Sequence, residues 1–194
     1  MASTLAPEVA DRFAGLGRTE GLAGGLRAIL AEGLPVPRSA TGLTLVPEGG
    51  GHEAAPHALA EAAGLRMVRL APSPERSDHE ETRTAVLLAA VRLGVIERLL
   101  ELAVQRLASR HVDGVPLTDK QLVQGTIAEA VASIELCRRG LCTAAGPAAA
   151  EALHARLADA GWSIVALFGA SGYLRDHATL DFYAAELVHD AWVA

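Results

Sequence analysis

Apolar residues recur along residues 96–107 at intervals of three and four. Because an α-helix turns once in about 3.6 residues, this spacing places them on one face of a helix. Glu97, Arg98 and Glu101 fall on the opposite face. Residues 86–95, just upstream, are apolar on almost every side, which predicts that this half of the helix is buried centrally. The apolar face consists of Ile96, Leu99, Leu100, Ala103, Val104 and Leu107.

Three further stretches repeat this helical pattern. The second helix is predicted to open at Thr118, where T-D-K-Q has the spacing of a capping box between Thr118 and Gln121. Gly146 and Pro147 are predicted to end this helix and begin the third, since glycine is favoured just past a helix and proline at its first position. Residues 80–194 are therefore predicted to form an antiparallel, up-and-down four-helix bundle, which makes the protein mainly α. The seam residues are Val123, Ile127, Ala130, Ile134, Cys137 and Leu141, then Leu153, Leu157, Ala160, Ile164 and Phe168, and finally Leu180, Tyr183, Ala184, Leu187, Val188 and Ala191.

Residues 1–79 have weaker patterns and are predicted to form a reduced, irregular α+β segment ahead of the bundle. Pro7 is predicted to open a short helix through Leu16, and a second helix is predicted from Gly21 to Glu32. Residues 41–47 and 64–72 are predicted to be short strands, each closed by a proline. A glycine turn and a small helix are predicted between the strands, and residues 72–81 are a polar hinge.

Composition and charge narrow the class of protein. Hydrophobic residues make up 51% of the 194 residues and aromatic residues only 4%, so the core must consist of Ala, Leu and Val. The net charge of −6, without a basic cluster, argues against nucleic acid as a partner. Arg92, Glu97 and Arg98 interrupt the most apolar stretch, which argues against a membrane span. The sequence therefore predicts a soluble, cytoplasmic protein, and Cys137 and Cys142 are predicted to be free thiols.

A metal site is not predicted. His52, Glu53 and His57 have a loosely metal-like spacing, but Pro56 disrupts any helical pairing between them. The three glycines that precede them are predicted to be a turn, because no phosphate-binding pattern surrounds them.

The stretch from Gly94 to Arg138 resembles the C-terminal helical domain of acyl-CoA dehydrogenases. In that family a helix ends in a pattern like Y-A-x-x-R-x-x-F-G, followed by a proline, a glutamine, L-A-[DE]-M and a run ending in arginine. Further on, Phe168 to Tyr173 resembles the family's Q-x-x-G-G-x-G-[YF] turn. The matching residues of the first motif are Leu107, Ala108, Arg110, Gly114, Pro116, Gln121, Ile127, Ala128, Glu129 and residues 134–138.

The resemblance implies an FAD site shared between subunits. In the family, the arginine and glutamine of this region reach the pyrophosphate and adenine end of FAD on a neighbouring subunit, which assigns that role to Arg110 and Gln121. Gly169 and Gly172 of the glycine turn are implied to contact the cofactor as well. A structural interpretation stays open beside this one: Arg110 lies near a helix C-terminus, where a cation is favoured, and the capping box already explains Gln121.

Several positions depart from the family's pattern. Asp113 replaces a phenylalanine beside the nucleotide, and Ala166 replaces the glutamine of the glycine turn. The family's catalytic base, a glutamate that follows the last bundle helix, falls on Val193. Its alternative location in the first bundle helix falls on Thr84, with Glu81 one turn upstream.

Three functions remain open from the sequence. In the first, the chain lacks its own base and completes the FAD site of a partner, such as a full-length acyl-CoA dehydrogenase. In the second, it is a stand-alone enzyme without redox chemistry, or a binding protein for an acyl thioester or biosynthetic intermediate. Asp176 and His177 are then candidate acid–base residues, although Asp176 is equally predicted to be the N-cap of the fourth helix. In the third, the chain is a dehydrogenase whose base is Glu81.

Overall fold

The computed structural model of the chain describes residues 4–49, 54–70, 77–173 and 178–193. These ranges contain six α-helices: α1 (Pro7–Ala31), α2 (Ala58–Ala62), α3 (Asp78–Ala108), α4 (Gln121–Leu141), α5 (Pro147–Leu167) and α6 (Leu180–Trp192). They also contain five short strands: β1 (Leu43–Pro47), β2 (Ala54–Ala55), β3 (Leu65–Arg69), β4 (His111–Val112) and β5 (Val115–Pro116). The predicted mainly α fold class is confirmed.

Helix α3 is the centre of the molecule and packs against α1, α4, α5 and α6. Its start is fixed by a capping box, in which Ser77 Oγ accepts a hydrogen bond from Glu80 N at 3.3 Å and Glu80 Oε2 accepts one from Ser77 N at 3.0 Å. Every residue from Thr84 to Ile96 is buried. The predicted central burial of this half of the helix is confirmed.

Helices α4, α5 and α6 complete the bundle around α3. A tight hairpin of β4 and β5 joins α3 to α4, and residues 142–146 join α4 to α5, so consecutive helices run in opposite directions. Most of the seam residues predicted from the periodicity, among them Ile134, Leu157 and Val188, lie in or against one buried core, whereas Val123 and Ala160 are not part of it. Cys137 is buried within it, and both cysteines are free thiols, as predicted.

Helix α1 reverses its direction at Gly21, where φ is 70° and ψ is −170°. A straight helix would separate Arg12 from Glu32 by about 30 Å. Their side chains instead form an ion pair of 3.2 Å, which requires the two halves of α1 to fold back on each other. Asp181 of α6 accepts a hydrogen bond of 3.4 Å from Leu22 N, the first donor of the second half. The predicted break between two N-terminal helices therefore occurs at Gly21.

The first half of α1 approaches α3 so closely that backbone touches backbone. A methyl group added at Gly94 of α3 would overlap the carbonyl oxygen of Ala14, and one added at Gly17 would overlap the carbonyl oxygen of Val91. Gly25 meets the Val91 side chain in the same way. Residues in the predicted N-terminal segment thus share a core with the bundle. The division of the chain at residue 79 stays a prediction.

The small sheet has the strand order β1–β3–β2, and all pairings are antiparallel. The two predicted strands, over residues 41–47 and 64–72, correspond to β1 and β3. Trp192 at the end of α6 ties this sheet to the bundle, because its indole Nε1 donates to Thr44 Oγ1 and Leu45 O, both at 3.1 Å. None of the helices within the described ranges is both long enough and apolar enough for a membrane crossing.

The predicted capping box at Thr118 is wrong. Helix α4 begins at Gln121 with Lys120 at the N-cap and without a side-chain cap, and Leu117–Asp119 form a 3₁₀ turn. The reason lies in the preceding hairpin, whose closing bond runs from Leu117 N to Arg110 O at 2.8 Å. This bond holds Leu117 in the hairpin, so the chain first forms the 3₁₀ turn and Thr118 lies outside α4. Thr118 Oγ1 instead donates a hydrogen bond to the neighbouring Asp119 carboxylate at 3.4 Å.

Candidate functional site

Arg110 and Gln121 lie at the two ends of the α3–α4 connection. Both side chains are exposed, and neither forms a hydrogen bond or ion pair with any residue in the described parts of the chain. Gln121 is the first residue of α4, so the amide donors of an uncapped helix N-terminus accompany its side chain. This end of the bundle therefore offers a cation, an amide and backbone N–H groups to a ligand or partner.

Asp113 occupies the tip of the same hairpin for a local reason. Asp113 and Gly114 have φ angles of 55° and 77°. Two successive positive φ angles define the type I′ turn of a two-residue hairpin, for which Asp-Gly is a favoured sequence. The departure from the family's phenylalanine is thus explained by turn geometry.

The glycine turn that follows α5 is a 3₁₀ segment, Gly169–Tyr173. Gly169 is exposed with a φ of 62°, whereas Gly172 is buried. The Gly172 carbonyl accepts hydrogen bonds from Thr179 Oγ1 at 2.6 Å and from Tyr183 Oη at 3.0 Å. Because α5 runs antiparallel to α4, its C-terminal turn lies at the same end of the bundle as Gln121.

Asp176 and His177 lie outside the residues that the structure describes, and their role as acid–base residues stays a prediction. The alternative prediction, that Asp176 is the N-cap of the fourth helix, is wrong. Helix α6 begins at Leu180, so Thr179 occupies the N-cap position. The Thr179 carbonyl accepts the first helical hydrogen bond, from Tyr183 N at 3.1 Å, which sets the helix start three residues later than predicted.

A cavity of about 460 Å³ lies between the N-terminal turn of α3, the N-terminal turn of α5 and the end of α6. Glu81 and Val193 both line it. Val193 is at one of the two base positions that the resemblance implies. Glu81 is one turn from the other, Thr84, which does not line the cavity. The lining residues are Arg38, Glu81, Thr82, Ala85, Pro147, Ala148, Glu151, Trp192 and Val193.

A buried polar cluster joins three helices behind this cavity. Arg92 of α3 is only 1% exposed and His154 of α5 is fully buried. Arg92 Nη1 lies 2.7 Å from His154 Nδ1, and Arg92 Nη2 donates to Glu186 of α6. Because a guanidinium only donates, His154 Nδ1 must accept, and His154 Nε2–H therefore donates to Ala85 O at 3.0 Å. The cluster fixes one tautomer of His154.

His154 is held in its neutral form. Burial, and then the nearby Arg92 charge, lower the pKa of His154 to about 2. Burial also lowers the pKa of Arg92, although the Glu186 carboxylate opposes this effect. His154 consequently stays unprotonated near neutral pH and does not serve as a general acid there.

His189 connects the buried cluster to the cavity wall. Its ring centroid lies 4.6 Å from that of His154, and its Nε2 lies 3.5 Å from Glu151 Oε2. Sequence analysis missed the cluster because its members come from three helices. The available signal was Arg92 itself, since a charge in the middle of a fully buried helical segment requires a partner.

The neutral state of His154 predicts a loss of stability in acid. The unfolded chain binds a proton at His154 below about pH 6.5, whereas the folded chain does so only near pH 2. The free energy of unfolding should therefore fall by about 1.4 kcal/mol per pH unit between these values, or about 2.7 kcal/mol at pH 4.5. Urea unfolding of the wild type and of His154→Asn, measured from pH 7 to pH 4.5, tests this difference in slope.

A matched variant controls for the other titrating groups. His111→Asn makes the same chemical change at an exposed position and should keep the wild-type slope. Equal slopes for the wild type and His154→Asn would contradict the neutral burial of His154.

Metal ligation finds no support in the described ranges, which contain no group of three or more His, Cys, Asp or Glu residues placed to hold an ion. His57 instead caps α2, where its Nδ1 accepts a hydrogen bond from Ala60 N at 3.3 Å. His52 and Glu53 lie outside the described residues.

Comparison with solved structures finds several with a similar fold. A structure named Tcur3481-Tcur3483 steroid ACAD G363A variant has a TM-score of 0.55 and 21% identity, over 76% of this chain and 44% of that one. Butyryl-CoA dehydrogenase from Megasphaera elsdenii has a TM-score of 0.53 and 20% identity, over 78% and 45%. FkbI, for biosynthesis of a methoxymalonyl extender unit, has a TM-score of 0.56 and 20% identity, over 76% and 46%.

At these identities the similarity establishes the fold alone, and the matched region spans less than half the length of each relative. A search of curated proteins found no match to the chain. The family model for the acyl-CoA dehydrogenase C-terminal domain matches residues 81–192, more than half of the chain. This match confirms the resemblance drawn from Arg110, Gln121 and the glycine turn. The chain therefore belongs to the family defined by the C-terminal domain of acyl-CoA dehydrogenases.

Proposed function

We propose that this chain is a helical-bundle subunit of an acyl-CoA dehydrogenase-type flavoprotein, in which it contributes Arg110 and Gln121 to an FAD held mainly by another subunit. The observation that carries the proposal is the pair of exposed, unpartnered side chains on the α3–α4 connection, as far as the described residues extend. Both groups are therefore available to a ligand or to a neighbouring subunit.

The chemistry of these groups fits the nucleotide end of FAD. A guanidinium pairs with phosphate oxygens through two donors, and the uncapped N-terminus of α4 favours negative charge. Asp113 opposes this fit with its own negative charge, although its position is set by the type I′ turn. Bound FAD would supply the acceptor for the hydride that leaves an acyl thioester. Gly169 adds an exposed, positive-φ position at the same end.

A partner subunit is part of the proposal because apolar side chains are exposed beside Gln121 and on the neighbouring hairpin. Leu122, next to Gln121, is 87% exposed, and Val112 on the hairpin is 47% exposed. Apolar side chains exposed to this extent beside a ligand-binding group are typical of an interface. We propose a full-length acyl-CoA dehydrogenase as the partner.

Arg110→Ala should weaken FAD binding in the assembled complex by about tenfold to a hundredfold, because a charge-assisted hydrogen bond contributes about 1.5–3 kcal/mol. The tagged chain is coexpressed with acyl-CoA dehydrogenases encoded in its own genome. Flavin absorbance per subunit is then measured during dilution of the purified complex.

Arg139→Ala provides the control, since Arg139 is an exposed arginine in the last turn of α4, at the opposite end of the bundle. It should leave FAD retention unchanged. A colourless protein that captures no flavoprotein, or equal FAD retention in both variants, would contradict the proposal.

A second candidate function is supported by the carboxylate of Glu81 in the wall of the cavity at the start of α3. In this alternative the chain contributes Glu81 as the base that removes the α-proton of an acyl thioester bound in the cavity. The same complex distinguishes the two functions. If Glu81 is the base, Glu81→Gln abolishes reduction of the flavin by acyl-CoA while FAD remains bound; if it is not, reduction proceeds.

A further inference from the structure

A second cavity, of about 490 Å³, lies along α6, from its first residue, Leu180, to Asp190 near its end. The chain has only two tryptophans and two tyrosines, yet Trp162 and both tyrosines, Tyr173 and Tyr183, line this one cavity. Leu59, Leu180 and Leu187 supply the apolar remainder of its wall. The three phenylalanines and Trp192 are instead buried in the core. A cavity wall with three aromatic rings that are not part of the core indicates a recognition surface.

Two of the three aromatic rings, those of Trp162 and Tyr183, are held in fixed orientations. The Trp162 ring packs edge-on against Phe182, at a centroid distance of 5.2 Å and an interplanar angle of 86°. It lies 5.5 Å from the Tyr183 ring, whose hydroxyl is anchored to Gly172 O. Even so, Trp162 is 46% exposed and Tyr173 is 65% exposed. Rigid aromatic faces left open to solvent are prepared to cover a ligand, since little side-chain entropy is lost on binding.

The charged groups of the cavity are acidic. Glu186 and Asp190 stand one turn apart on α6, and both line it. Arg92 offsets Glu186 from behind but is too deeply buried to reach the cavity, and the Asp190 side chain is 75% exposed. Among the described lining residues there is no cationic side chain. Aromatic faces and carboxylates both attract positive charge, and both disfavour phosphates or acidic ligands.

We propose that the cavity walled by Trp162, Tyr173, Tyr183, Glu186 and Asp190 binds a small organic cation, an alkylated or quaternary ammonium group carried on an apolar body. The rings surround the ammonium group through cation–π contacts, and Asp190 supplies the counter-charge. The leucines contact the apolar body, and the cavity volume suits a small molecule. The site is independent of the flavin function proposed above.

The test compares two probes that differ only in charge. Choline and its uncharged carbon isostere, dimethylbutanol, are titrated into the purified chain, and binding is followed by calorimetry and tryptophan fluorescence. Choline should bind at least fivefold more tightly than the alcohol, because a cation–π site gains little from a neutral group of the same shape. Equal affinities, or no choline binding at all, would overturn the proposal.

Variants locate the binding. Asp190→Asn should weaken choline binding by about threefold or more, whereas Asp159→Asn, the same change at an exposed position on α5, should have no effect. Trp162→Leu should abolish the fluorescence response and most of the affinity. Asp190→Asn keeps the test decisive if Trp162→Leu does not fold. Two further outcomes would refute the proposed cation site. One is choline binding that Asp190→Asn leaves intact, and the other is a concentration-dependent dimer that closes the cavity to choline.

Discussion

Gly94→Ala is expected to destabilise the protein by more than about 3 kcal/mol, a large fraction of the 5–15 kcal/mol that holds a typical domain folded. The added methyl group would overlap the Ala14 carbonyl oxygen and crowd the Arg18 amide nitrogen. Both obstacles are backbone atoms of α1, so rotation of a side chain cannot relieve them. The two helices would have to move apart along the contact that Gly17 and Gly25 also make.

Gly125→Ala is the matched control. Gly125 also lies inside a helix, but an added methyl group there meets nothing within 4 Å. Because alanine has the higher helix propensity, this variant should be more stable than the wild type by about 0.5–1 kcal/mol. Urea unfolding followed by circular dichroism measures both variants. A Gly94→Ala protein as stable as the wild type would show that α1 and α3 are not in backbone contact.

Glu186→Leu is the second substitution with a large expected effect, a loss of about 3–5 kcal/mol in the free energy of unfolding. It removes the carboxylate that pairs with Arg92, whose side chain is 1% exposed, and leaves a buried cation without its counter-charge. The other acceptor that Arg92 contacts is His154 Nδ1, and a neutral imidazole supplies no counter-charge. Thermal and urea unfolding near neutral pH give the magnitude.

The double variant Arg92→Met/Glu186→Leu should be less destabilised than the sum of its single changes, by about 2 kcal/mol or more, since it removes the stranded charge. Glu135→Leu makes the same side-chain change in an exposed ion pair with Arg138 and should cost no more than about 1 kcal/mol. If the effects of Arg92→Met and Glu186→Leu on the free energy of unfolding simply add in the double variant, Arg92 and Glu186 are not coupled.

Features of the fold that depend on the sequence of a single segment could be predicted. Features that depend on a contact between two distant segments could not. The apolar face of α3 and the strands β1 and β3 were predicted because periodicity is a property of a single element. The contact of Gly94 with Ala14 joins residues far apart in the chain, and the local sequence around either residue does not predict it. The capping spacing at Thr118 was present, but the hairpin geometry prevented its use.

The residues of the candidate site also fall into those that one stretch of sequence predicts and those that it does not. Arg110 and Gln121 were found because a motif of fixed spacing carries them along one stretch of chain. The partners of Arg92 come from α5 and α6, so the sequence showed a charge in an apolar run but not what neutralises it. The aromatic cavity was missed because its rings come from α5, the glycine turn and α6, and because Tyr183 was counted as a core residue of the seam.

The bond between Trp192 and β1 also constrains the order in which the chain folds. Thr44 Oγ1 and the Trp192 indole are 148 residues apart in sequence. At a synthesis rate of about 5–20 residues per second, roughly 7–30 s pass between the emergence of the two partners. During that interval the sheet lacks its tie to the bundle, and its final docking follows translation of α6.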